Sequence, residues 1–88
     1  MNCLKTYTLT TGEEKLNMEL TSMEVVDETI DIRYTTYGLR VTDEAGGVIF
    51  AALDVDTCME FVQRFVELCV RFDARIIHLP ELLEDYLA

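Results

Sequence analysis

The chain has 88 residues, half of them hydrophobic and 27% charged, which is the composition of one globular domain (residues 1–88) rather than a disordered segment. Its 17 acidic and 7 basic residues leave a net charge of −10, which argues against direct contact with nucleic-acid phosphates and with anionic membrane surfaces. No apolar run approaches the ~20 residues of a membrane span, and the start MNCLKTYTLTTGEEKL lacks the cationic region and apolar run of a signal peptide, so a cytoplasmic protein is expected.

The first half reads as strands. Residues 4–10 are rich in Thr and Tyr, which suit a pleated surface. A turn is expected at Gly12. The segment KLNMELT then alternates, with Leu16, Met18 and Leu20 on one face and Lys15, Asn17, Glu19 and Thr21 on the other. The segment VVDET is read as the next turn. Beyond it Ile30, Ile32 and Tyr34 share one phase, while Tyr37, Leu39 and Val41 take the opposite one. Such a slip points to a bulge near Thr35 and Thr36 or a bend at Gly38. DEAGG closes a hairpin at Gly46 and Gly47, and the continuously apolar VIFAAL reads as a well-buried strand.

At LDVDTCMEF the period changes. Asp54, Asp56 and Thr57 are candidate N-caps, and Thr57 with Glu60 has the spacing of a capping box. Cys58, Phe61, Val62, Phe65, Val66, Cys69 and Phe72 recur at three- and four-residue steps, the mark of an amphipathic helix of about four turns. Arg71 and Arg75 sit near its end, where cations suit the helix dipole. On that helix Cys58 and Cys69 lie about 16 Å apart, beyond the ~7 Å reach of a disulfide. They are read as two buried thiols, and Cys3, near the terminus, is uninformative.

The tail IIHLPELLEDYLA holds the single histidine, His78, and the single proline, Pro80. Proline is favoured at the first position of a helix, because its missing N–H would have no partner there, so a short helix is expected from Pro80. Leu79, Leu82, Leu83, Tyr86 and Leu87 form its apolar edge and Glu84 and Asp85 face out. Two turns are not stable alone, so the helix must dock. RIIH before it reads as an extended link with Ile76 or Ile77 pinned to the core. The fold class is therefore α+β, an antiparallel meander of about four strands with one long amphipathic helix on one face and a short C-terminal helix.

No residue set points to chemistry. His78 has no second histidine, serine nucleophile motif or reactive-cysteine signature beside it, and is read as structural. The pairs Glu13–Glu14, Asp27–Glu28, Asp43–Glu44 and Glu84–Asp85 read as solvated surface. DVDTCME lacks the glycine and terminal glutamate of a calcium loop, and the Gly46–Gly47 pair precedes a strand rather than the helix of a phosphate cradle. No catalytic, cofactor-binding or metal-ligating residue is therefore expected.

The order of a strand containing YGLRV, a glycine turn, a strand, an Asp/Thr-capped helix and IIHLPELLEDYL resembles an uncharacterised family of small clostridial proteins. The resemblance covers residues 37–87 and rests on Tyr37, Gly38, His78, Leu79, Glu84 and Asp85. It implies a small cytoplasmic bacterial protein and brings no activity with it.

The expected function is a non-enzymatic interaction or regulatory module that binds another protein or a second copy of itself. One helix covers only one face of a four-stranded sheet and leaves a face of Tyr, Thr and mixed charges. The alternative is an acidic inhibitor that mimics nucleic-acid charge, of the anti-restriction or anti-CRISPR type. Against it, Glu19, Asp31, Asp43, Glu60 and Glu84 are scattered among elements, with Arg33, Arg40 and Arg64 interspersed.

Overall fold

The computed structural model describes residues 1–11 and 14–88. Four strands, β1 (Asn2–Thr11), β2 (Glu14–Asp27), β3 (Ile32–Thr42) and β4 (Val48–Asp56), precede helix α1 (Met59–Arg71). A 3-10 turn (Ile76–His78) then leads into helix α2 (Leu79–Leu87). The strands form one antiparallel sheet in the order β1-β2-β3-β4, so the expected meander with a long and a short helix is the fold. The turn expected at Gly12 lies outside the described residues.

The core forms where the alternating faces meet α1. Leu9 pairs with Leu16, Met18 with Val41 and Leu20 with Leu39, placing all six on one side of the sheet. Leu9, Leu16, Met18, Leu39 and Val41 close against Phe65, Val66 and Cys69 of α1 and Leu79 of α2. Each such side chain stabilises by roughly 1.5–3 kcal/mol when fully buried.

β2 is longer than its periodicity shows. Val25 and Val26 belong to the strand rather than to a turn, and the reversal falls at residues 28–31. There the Asp27 carboxylate accepts the Thr29 N–H at 3.0 Å, and Asp31 takes φ 52°, a conformation aspartate tolerates. The phase slip in β3 has a cause of its own. Pairing with β2 is unbroken from Asn17–Thr42 to Asp27–Ile32. Ile32 and Tyr34 simply point to the face opposite Leu39 and Val41.

The irregularity lies on the other edge of β3. There Tyr37 pairs with Asp56 but Leu39 pairs with Ala52, so β4 carries two extra residues opposite Gly38. A Cβ at Gly38 would lie 2.1 Å from the Ala52 carbonyl oxygen and 2.5 Å from the Leu53 Cα. The β4 backbone thus occupies the place of a side chain on the face of Thr36 and Arg40. This accounts for the full burial of Thr36, whose hydroxyl donates to the Asp54 carboxylate at 2.6 Å. Thr21, the β2 partner of Gly38, is equally buried, and its hydroxyl has no partner among the described residues.

β4 is not the buried strand its composition promised. It is an edge strand; Val48, Ile49 and Ala51 are exposed, and Phe50 is the side chain that packs on the core. The 43–47 turn is as expected, with Gly46 at φ 88° and Asp43 accepting the N–H groups of Gly46 and Gly47 through its carbonyl and carboxylate.

The start of α1 also differs from the capping pattern. The N-cap is Cys58, which makes no side-chain cap bond, and the Thr57–Glu60 box does not form. Asp56 instead accepts the Cys58 N–H at 2.7 Å, and Asp54 is engaged with Thr36. Cys58 is therefore exposed, as is Cys3, while Cys69 is buried. Phe72 leaves the apolar stripe at the helix end and is 71% exposed.

Candidate interaction surface

The sheet is longer than the helix that covers it. Fourteen residues of β2 span about 46 Å, whereas the thirteen of α1 span about 20 Å. α1 leaves β4 beside Tyr37 and runs back toward Leu9, Leu16 and Val41. The far end of the β2–β3 hairpin is left without a helix over it, consistent with a molecule 47 Å long and 19 Å thin.

Among the described residues this arm also lacks lateral neighbours. β1 pairs with β2 from Glu14 to Ser22 and stops, and β4 pairs with β3 only from Tyr37 onward. Residues 23–27 and 32–35 therefore form a two-stranded ribbon with both edges open. Strand alternation puts Met23, Val25, Ile32 and Tyr34 on one of its faces. Ile32 and Tyr34 are exposed, Met23 and Val25 are half-buried, and Ile30 at the tip is 61% exposed. The opposite face carries Glu24 and Arg33, which form an exposed ion pair at 3.7 Å, and the exposed Val26. Glu24, Asp27, Glu28 and Asp31 are all exposed on the arm.

Nearer the middle of the sheet, the same face as Met23 and Val25 holds a closed polar contact. Arg40 donates to Glu19 in bidentate fashion, Nη2 at 2.7 Å and Nε at 3.3 Å. The guanidinium beside Glu19 holds its carboxyl below the ordinary 4.5, against the opposing effect of burial. The Arg40 pKa is raised in return.

A second apolar surface lies between the helices. Phe65, Leu68, Cys69, Phe72, Leu82 and Tyr86 line an open groove of about 400 Å³. Burial pushes the Cys69 thiol up to about 11, so at neutral pH it is an uncharged part of the apolar floor. The tail is docked beside it. Leu79 is fully buried, Leu83 and Tyr86 are half-buried, and the Tyr86 hydroxyl donates to the Phe61 carbonyl at 2.9 Å. The Tyr86 ring packs 4.6 Å from Phe61 and 5.0 Å from Phe65. Leu82 and Leu87 are exposed, so Leu79 rather than Leu82 is the anchor.

Pro80 lies in the first turn of α2, as expected. The link before it is a 3-10 turn rather than extended; Ile76 packs on the core and Ile77 is 78% exposed. His78 is the N-cap residue of α2, exposed, and its imidazole makes no hydrogen bond among the described residues. Among the described residues no group of three or more His, Cys, Asp or Glu could hold a metal ion, and no helix is long and apolar enough to cross a membrane.

The arm itself went unread in the sequence. Its signal was there: Val25 and Val26 continue the β2 pattern, and Ile32 and Tyr34 stand out of phase with Leu39 and Val41. Fold and surface together define a four-stranded antiparallel sheet with a long and a short helix and a bare hairpin arm. No family model, curated protein or solved structure matches the chain.

Proposed function

We propose that this is a non-enzymatic protein-interaction module and that the β2–β3 arm is its binding element. The observation that supports the reading is the arm's combination of open strand edges with Met23, Val25, Ile30, Ile32 and Tyr34 beyond the cover of α1. Isolated two-stranded ribbons are marginal in water, and exposed edges are templates for a further strand. A binding role gives both features a use. The reading includes a cytoplasmic bacterial setting, in line with the clostridial resemblance over residues 37–87, and no direct contact with nucleic acid or membrane.

A photo-crosslinking residue at position 30, with one at position 87 as the control, tests it in cells. Adducts specific to position 30 support the reading. Equal labelling from both positions, or none from position 30, removes it.

One observation favours a second reading. Glu24, Asp27, Glu28 and Asp31 stand together on the arm, so an inhibitor mimicking nucleic-acid charge would present that end. Neutralising all four should abolish binding of a nucleic-acid enzyme under this reading, and should leave apolar arm contacts in place under the first.

A further inference from the structure

We infer that the occupant of the arm is a second copy of this chain, joined edge to edge along residues 23–27 of β2. This deepens the reading of the arm as a binding element and rests on it.

The geometry of the open edge carries the argument. The β1–β2 ladder ends at Asn2, opposite Ser22, so among the described residues the five residues of β2 beyond it have an unpaired edge in line with β1. A strand added there must run antiparallel to β2 if the two copies are related by a twofold axis. Centred on Val25, the pairing puts Glu24 opposite Val26 of the second copy and Asp27 opposite its Met23. No acid then faces an acid, although the chains carry −10 each. Centring on Glu24 would oppose two glutamates.

Charge is also complementary one strand further out. Arg33 pairs with Val26 in its own chain, so in this register it lies in the same cross-strand row as Glu24 of the second copy. Two strand spacings, about 9.6 Å, separate their backbones, within the combined reach of an arginine and a glutamate on one face. Arg33 already lies 3.7 Å from Glu24 of its own chain, and the pairing gives each arginine two carboxylates. On the opposite face Val25 meets Val25 of the second copy, flanked by Tyr34 of each, and Asp27 of each copy stands beside Met23 of the other.

The outer edge of β3 is the competing choice, and charge disfavours it. A pairing centred on Tyr34 would bring Asp31 of the second copy opposite Tyr37, in the lateral position already held by Asp56. On the β2 edge the corresponding neighbour is the uncharged Asn2.

The test is sedimentation equilibrium from about 1 to 500 µM, with amide exchange at both ends of that range. The expected result is a monomer–dimer equilibrium that tightens several-fold between about 0.05 and 0.5 M NaCl, because salt screens the repulsion of two acidic chains. Amides of residues 23–27 should gain protection with concentration, while those of residues 32–35 and the groove residues Phe72 and Leu82 do not. Val25→Lys should weaken the dimer at least about tenfold, equivalent to 1.4 kcal/mol, and Phe72→Ser should leave it unchanged.

A monomer throughout at high salt overturns the inference, as does concentration-dependent protection confined to residues 32–35 or to the groove. The exchange measurement uses the unaltered chain, so a variant that misfolds does not remove the test. If position 30 cross-links only to other proteins while the chain stays monomeric, this inference falls and the arm's role as a binding element stands.

Discussion

The two halves of the β2–β3 hairpin share strands, register and composition, yet they differ in what lies over them. In the half that carries Leu16, Met18, Leu39 and Val41, α1 seals the apolar face and every one of these side chains is buried. In the arm, Met23, Val25, Ile32 and Tyr34 make an equally apolar stripe that points to the other face and has no helix over it. The same alternation thus yields a core in one place and a surface in the other. What separates them is side: α1 lies against the face of Leu16, Met18, Leu39 and Val41, and the arm's stripe faces away from it.

If that contrast is right, the largest effects must fall in the covered half. Leu79→Ala empties the fully buried contact between α2 and the sheet and should cost about 4 kcal/mol in chemical denaturation. Leu82→Ala, at a half-open groove position, should cost under about 1 kcal/mol. Equal costs would mean the tail docks by a different face.

Next comes the seam where β4 folds over β3. Gly38→Ala places a methyl group into the Ala52 carbonyl and should cost roughly 3 kcal/mol, read by thermal or urea unfolding. A neutral outcome would mean the β4 backbone can move away without loss.

The ion pair beside the seam gives a smaller, pH-specific effect. Glu19 has a lowered folded pKa, so its contribution is fully present above its ordinary 4.5 and is lost as pH falls through the lowered value. Glu19→Gln should cost about 1 kcal/mol at neutral pH and flatten the acid limb of the stability profile. An unchanged acid limb would show that another carboxylate governs it.

The smallest effects belong to positions outside the core, the half-buried Val25 and the exposed Ile32 and His78. Val25→Lys and Ile32→Lys on the arm, and His78→Ala at the α2 entry, should each stay within about 0.5 kcal/mol for the monomer at low concentration. A large loss from either arm variant would make the arm part of the core and erase the contrast.

Periodicity alone sufficed for much of the fold. Leu16, Met18 and Leu20 against Lys15, Asn17 and Glu19 specify a strand with one buried face, and Val62, Phe65, Val66 and Cys69 specify the helix that meets it. Pro80 marked the start of α2. These are local properties, since side-chain direction follows from backbone period without reference to the rest of the chain.

Other residues took their roles from neighbours distant in sequence. VIFAAL is as apolar as a central strand, but its edge position leaves Val48 and Ile49 in water. Cys58 and Phe72 keep the helical period, yet the helix meets the sheet only between them. Asp54 reads as a cap and instead binds Thr36, because the β4 backbone crosses β3 at Gly38. The arm was hidden for the same reason: an apolar stripe records that a face can be buried, whereas which stripe is buried depends on the side of the sheet on which the helix comes to rest.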